Sequence, residues 1–302
     1  MLKNGFLKKL DRQKWSILFV APVVLLFIVF VLGPLMASFY WSFTDYNGIH
    51  APRWVGLGNY KNIFFHDQRF RKAISNTVLY TLGVIPPGVV LALLLAMAVD
   101  QNIRFKNLFR VIYFIPAVTS VIALSVIWKW MFAGEKYGLI NHWLILMGFK
   151  PVDWLMSTTW TLPAIMIMSI WAGLGFNMIL FLAGLQTIPT AVYEAAEIDG
   201  AGSFDKFWNI TLPLLKPTMV FAVVMGFISS FQVFEQIYIM TESEFGIGGV
   251  LDSALTVVAY LYDMGFKKLQ MGYASALGYI VFAVVFLMTL INMKFIKTKI
   301  EY

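Results

Sequence analysis

An all-α integral membrane protein with six transmembrane helices is the fold class this sequence predicts. Three observations carry that expectation. The 302 residues are 60% hydrophobic and only 13% charged, which is too little polar surface to coat a water-soluble globule. Mean hydropathy is +0.75, and the apolar residues gather into six runs, at about 16–41, 73–99, 109–133, 161–185, 217–241 and 270–293. Each run supplies the roughly 20 residues that a helix rising about 1.5 Å per residue needs to cross about 30 Å of hydrocarbon. All six must be helical, because an open sheet edge or bare backbone in lipid leaves polar groups unpaired.

The first run follows Lys3, Lys8, Lys9, Arg12 and Lys14 and extends from Ile17 to about Tyr40. A secretory signal has an apolar core of only about 7–15 residues, so this run is expected to remain as a first span. Pro86-Pro87 and Pro116 are expected to kink the second and third spans, since proline removes a donor and crowds the preceding turn. In the sixth span, Gly272 with Ala276 and Ala274 with Gly278 form a small-xxx-small face for close helix contact. Six spans place both termini on one side, and the bias of Lys and Arg toward the cytoplasm makes that side cytoplasmic. The inner side would carry the amino-terminal basics, Arg104, Lys106 and Arg110, and Lys294, Lys297 and Lys299. Against that bias, Arg53, Lys61, Arg69, Arg71 and Lys72 fall in the outer loop at 44–72. The net charge of +7 therefore sits beside apolar runs, where anionic lipid headgroups rather than nucleic acid are the expected partner. No composition break marks a second domain, so 1–302 reads as one unit. The absence of cysteine excludes disulfides.

The 186–216 loop is the long polar interruption of the carboxyl-terminal half. Within it, Tyr193–Pro213 reads as two short helices. Thr190 is expected to cap the first, with Asp199-Gly200 ending it in a left-handed residue. Ser203 is expected to cap the second, with Asp205 at its positive end. That helix should place Phe204, Phe207 and Trp208 on one side and stop at Leu212-Pro213. Helices this short are marginal in water, so a partner must hold them. Glu194, Glu197, Asp199 and Asp205 outnumber Lys206 and Lys216, which suits a basic groove on a cytosolic protein. A solvated interfacial hairpin is the plainer reading.

Glu194-Ala195-Ala196, Gly200, Ile210 and Leu212-Pro213 resemble, in type and spacing, the EAA motif of the membrane subunits of bacterial ABC importers. The likeness extends from VGLGNYKNIF and ISNTVLYT through Asn141, Asp153-Trp154-Leu155 and LQTIP to MGYASA, a set similar to the MalF-like permeases of carbohydrate importers. It departs after span five, where Thr241 leads into ESEFGIGG rather than the family's Thr and Gly-Gly-Pro. The resemblance implies the type I importer transmembrane fold and transport of a sugar or oligosaccharide across the bacterial cytoplasmic membrane by alternating access. It also implies the partners: a second permease, two ATPase subunits and an extracytoplasmic solute-binding protein. ATP and magnesium would sit on the ATPase, with no cofactor and no catalytic residue on this chain. Consistent with that division, no G-x-x-x-x-G-K-[ST] phosphate loop occurs here. By the same resemblance Glu194 pairs with a basic group of the ATPase, Ala195 and Ala196 keep the contact slim, and Asp199-Gly200 makes the turn.

Polar residues inside spans are costly and point to the cargo path. Span four offers Trp171, Gly173, Gly175, Phe176 and Asn177, where an aromatic face beside glycines suits either a sugar ring or helix packing. The resemblance favours the former, since maltose-type permeases place sugar contacts where Trp171, Gly173 and Phe176 fall. Span five adds Ser229, Ser230, Gln232, Glu235 and Gln236, with Ser229, Gln232 and Gln236 expected on one helix face. Thr119 and Ser120 follow Pro116 as further candidates. Spans four and five hold no Lys or Arg away from their ends, which points to a neutral glycan. Lys129, between Trp128 and Trp130, is expected to snorkel. His50, His66 and His142 lack ligand spacing for a metal. A stand-alone secondary transporter or channel for a small polar solute is the alternative function. An intramembrane hydrolase ranks last, since every His lies in a loop.

Overall fold

The computed structural model describes residues 15, 18–101, 104–134, 137–243 and 246–297, with side chains as far as Ile291. Lys3, Lys8, Lys9, Arg12, Lys14 and Lys299 lie outside the described residues, as do the side chains of Lys294 and Lys297 and part of the 242–249 stretch. Among the described residues, four helices are long and apolar enough to cross a membrane: α1 (Leu18–Trp41), α3 (Gln68–Asp100), α7 (Thr161–Gln186) and α13, whose apolar part is Met271–Ile291. Two bent pairs bring the total to as many as six: α4 (Lys106–Val118) with α5 (Val121–Met131), at 98°, and α9 (Ser203–Leu214) with α10 (Lys216–Phe231), at 63°. Shorter helices are α2 (Gly58–Phe65), α6 (Leu139–Leu146), α8 (Thr190–Ile198), α11 (Glu235–Thr241) and α12 (Val257–Tyr262).

Several expectations need correction. The 44–72 segment holds one antiparallel pair, β1 (Thr44–Asp45) and β2 (Arg53–Trp54), in register Thr44 to Trp54. Gly272 packs on it so closely that a Cβ there would lie 2.1 Å from the Thr44 carbonyl oxygen, and Gly272 N–H donates to Tyr46 O at 2.9 Å. Pro86 and Pro87 sit inside α3, which stays helical from Gln68 to Asp100. The third span is broken three residues beyond Pro116, where Thr119 is extended. The run at 217–241 is two helices, parted at Gln232–Phe234. The backbone there is satisfied from a distance: Thr256 Oγ1 donates to Val233 O at 3.1 Å. Lys129 does not snorkel, because its ammonium donates to Ile239 O at 2.8 Å on α11. A broken helix survives at membrane depth only when such partners take its freed carbonyls.

Two apolar cores stack along the bundle. One, at the end that carries β1 and α12, gathers Phe70, Trp128, Phe132, Met168, Ile237 and Leu277. The other, toward the 186–216 loop, gathers Val89, Leu93, Met178, Phe181, Leu185 and Leu215. α3 and α7 run through both. α4 lies on the far side of α7, where a Cβ on Gly175 would fall 2.0 Å from the Tyr113 carbonyl oxygen. Only glycine allows that backbone approach.

At the first end, charge ties the loops together. Arg69 makes a two-pronged pair with Asp252, at 2.8 and 2.7 Å, and reaches Asp263 at 2.8 Å. Asp67 caps α3 through Phe70 N–H and accepts from the hydroxyls of Tyr260 and Tyr273. Burial opposes ionisation of Asp67, but those hydroxyl and backbone donors outweigh it and hold its carboxyl below the usual range.

Candidate functional site

The 186–216 loop forms a fixed unit. α8 opens at Pro189, whose ring presets the entry, so Thr190 is the first helical residue and not the cap. It closes in a Schellman turn: Gly200 N–H donates to Glu197 O at 3.0 Å and Ala201 N–H to Ala196 O at 2.9 Å, with Gly200 at φ +81°. α9 is capped at Gly202, and Asp205 reaches back to accept from Gly202 N–H at 3.2 Å, which displaces the expected cap at Ser203. Asp205 still lies at the positive end of its helix. α9 runs past Pro213 to Leu214. Pro213 cannot donate to Asn209, and the turn Phe207–Thr211 widens to π, with Leu212 N–H bonded to Phe207 O.

Two polar contacts join the two helices. The hydroxyls of Tyr193 and Thr211 lie 2.9 Å apart, and Lys206 Nζ donates to Glu197 Oε1 at 2.7 Å. That ammonium holds the Glu197 carboxyl below its usual range. Phe207 and Tyr193 each turn in against the second core, while Phe204 and Trp208 stay exposed, so the three aromatics do not share one side. Glu194, Ala195, Asp199 and Gly200 are exposed and Ala196 is half-buried. Ile198 is 87% exposed, an apolar side chain presented to nothing within the chain.

Between the two cores lies a cavity of 270 Å3. α7 contributes Ser169, Gly173, Phe176 and Asn177, α10 contributes Ser229 and Ser230, α11 contributes Gln236, and α3 contributes Tyr80 and Gly88. Gly173 has open space, its nearest potential contact being Asn177 Nδ2 at 3.9 Å. The break at Gln232 removes the expected common face of Ser229, Gln232 and Gln236, yet Ser229 and Gln236 both line the cavity. Trp171, Gln232, Glu235, Thr119 and Ser120 do not line it. Trp171 packs on Trp128 with ring centres 5.5 Å apart. Thr119 bonds back to Ile115 O at 2.8 Å. Glu235 is exposed in the first turn of α11. Tyr80 and Ser169 were not singled out by the sequence, where a lone Tyr and Ser in apolar runs resemble packing. The lining offers hydroxyls, amides and an aromatic face, with no cation, a donor and acceptor set suited to a neutral polar solute. Among the described residues no group of three or more His, Asp or Glu gathers as metal ligands.

The loop and the cavity share their helices. α7 carries Phe176 and Asn177 into α8, and α9 leads through the buried Leu215 into α10 and Ser229. Near the loop the two are in tight contact, since a Cβ on Gly184 would lie 2.8 Å from Thr218 Oγ1. A multi-span helical bundle with a cavity between its two cores, tied to an exposed helical pair, is the architecture of a membrane permease component. The chain belongs to the family described as binding-protein-dependent transport system inner membrane component, whose model matches residues 88–299. It is similar to the probable ABC transporter permease protein YesP of Bacillus subtilis, 34% identical over 91% of this chain and 88% of that one. The arabinooligosaccharides transport system permease protein AraP of the same organism is 35% identical, over 92% and 87%. A solved bacterial alginate ABC transporter, in complex with an alginate pentasaccharide-bound periplasmic protein, shares the fold at a TM-score of 0.82, with 22% identity over 97% of this chain and 99% of that one.

Proposed function

We propose that this chain is a permease subunit of an ATP-driven, binding-protein-dependent importer that moves a sugar or oligosaccharide across the bacterial cytoplasmic membrane by alternating access. The observation that carries the reading is the rigid, exposed 186–216 loop, continuous at both ends with the helices that line the cavity. Six spans with both termini cytoplasmic place this loop on the cytoplasmic side, where it docks on an ATPase subunit. Glu194 meets a basic group there, Ala195 and Ala196 keep the approach close, and Asp199-Gly200 sets the angle of the pair. Closure of two ATPase subunits on ATP and magnesium tilts α8, and α7 and α10 transmit the tilt to the cavity. A second, similar permease completes the path, and an extracytoplasmic binding protein delivers the cargo. The sugar reading draws on AraP-like relatives and on the uncharged cavity lining, of which Gly173, Phe176, Asn177, Ser229, Ser230 and Gln236 are the proposed contacts.

The test is uptake by the reconstituted complex. Gly200→Val forces a β-branched side chain to φ +81°, a strain of about 1–2 kcal/mol, although no atom lies within 4 Å of its Cβ. It and Glu194→Lys are expected to abolish ATP-driven glycan uptake while leaving the chain in the membrane. Unchanged uptake in both variants, or uptake that runs on an ion gradient with no ATPase present, contradicts the reading.

A further inference from the structure

A second cleft, of 240 Å3, opens at the end of the bundle opposite the 186–216 loop, between the end of α5, the segment before α7 and the end of α11. Its most distinctive wall is Trp154. The indole N–H donates to Asn141 Oδ1 at 3.0 Å, and Asn141 is fully buried, also bonding Val152 N–H and the carbonyls of Val152 and Ala133. The rings of Phe132 and Trp160 each lie with centres 5.4 Å from Trp154. Trp154 is thus locked in one orientation, yet it remains half-exposed at the cleft. A preset aromatic face loses little freedom when a ligand stacks on it.

The charge next to that face in the chain is a carboxylate. Asp153 is exposed beside Trp154, and Glu242 lines the opposite wall. Glu242 is ion-paired with Lys267 at 2.8 Å, and that ammonium holds its carboxyl below the usual range. Lys129 is the one cation among the described lining residues, and its ammonium is already committed to the carbonyls of Ile239, at 2.8 Å, and Glu242, at 3.4 Å. Glu242 is offset by Lys267 and Lys129, so the charge that a ligand on Trp154 meets uncompensated is that of Asp153, whose carboxylate accepts from sugar hydroxyls and repels a carboxylated or sulfonated ring. The volume is on the scale of one sugar ring rather than a chain.

We propose that this cleft is a mouth subsite that takes one neutral sugar unit of the cargo, its C–H face stacked on Trp154 and its hydroxyls donating to Asp153 and Glu242, and that it turns away anionic sugars. The proposal rests on the glycan reading above and deepens it by assigning where charge selection occurs. It also separates this chain from a fold neighbour whose periplasmic partner carries alginate, an acidic polysaccharide.

The test uses the complete importer in nanodiscs without its binding protein. Equilibrium binding of labelled arabinotriose, lactose and maltotriose is measured, with trigalacturonate as competitor. In parallel, ATP-driven uptake of the same sugars is measured in proteoliposomes with the binding protein present. Trp154→Leu and the double variant Asp153→Asn/Glu242→Gln are each expected to weaken binding of the preferred neutral sugar about fivefold. Trp154→Phe, which keeps the stacking face, is expected to stay within about twofold of wild type. Trigalacturonate should compete only in the double variant. If Trp154→Leu fails to assemble, the double variant and the competitor decide. Sugar binding unchanged in the variants, wild-type uptake without measurable binding, or trigalacturonate competing equally in wild type overturns the cleft alone. Absence of ATP-driven uptake for every sugar overturns the glycan reading with it.

Discussion

Two glycines two residues apart, and so about 200° apart around one helix, show how single residues decide the fold and the site separately. Gly175 faces the α4 backbone, where any Cβ would fall 2.0 Å from Tyr113 O, whereas Gly173 faces the cavity with its nearest neighbour at 3.9 Å. Gly175→Ala must push two backbones apart and is expected to destabilise by about 3 kcal/mol, the upper end for overpacking. Gly173→Ala is expected to leave thermal unfolding of the detergent-solubilised chain nearly unchanged. A similar loss in both variants, read as the shift of the unfolding midpoint, would contradict this assignment of faces. Composition and spacing do not distinguish the two, since both are small residues in one apolar run; the family resemblance alone singles out Gly173. Gly200 was legible, because Asp-Gly after a helical stretch and before a second one calls for a left-handed residue.

At the scale of elements, the helical pair of the 186–216 loop is held by a few identifiable contacts. Tyr193→Phe removes the bond between the Tyr193 and Thr211 hydroxyls at a cost of about 1 kcal/mol, and leaves the ring packed against the second core. The expected result is faster tryptic cleavage at Lys206 with unchanged cleavage elsewhere, because local opening governs access. Equal rates in the two proteins would show that this bond does not hold the pair. The existence of the two helices and the turn between them could be read from spacing alone. Their caps could not: Pro189 and Gly202 take the positions where Thr190 and Ser203 have better capping side chains, since the chain's direction into and out of the membrane sets the entry angle. The broken third and fifth spans were illegible for a related reason. Hydropathy records only that a run is apolar, while Thr256, which takes the Val233 carbonyl at the break in the fifth run, lies 23 residues away in sequence.

For the whole molecule, the charge network around Asp67 and Arg69 joins the start of α3 to α12, α13 and the loop between α11 and α12. Because the folded carboxyl of Asp67 is held below its ordinary value of 3.8, its contribution is fully present above that pH. It is lost as pH falls through the lower folded value. Thermal unfolding should therefore be flat in this respect from pH 7 to about 5 and weaken below about pH 4. Asp67→Asn should be less stable at pH 7 and should lose less on acidification. A variant whose acid sensitivity equals that of wild type would place the linkage elsewhere. The contact of α7 with α4 has a mechanical consequence. From Gly175 to Gln186 is about 17 Å of helix at about 1.5 Å per residue. With that backbone contact as fulcrum, a rotation of α7 by about 10° would carry its loop end about 3 Å, while Gly173 and Phe176, beside the fulcrum, would mostly turn in place. Leverage of this kind makes a long stroke at the loop into a small change of aspect at the cavity.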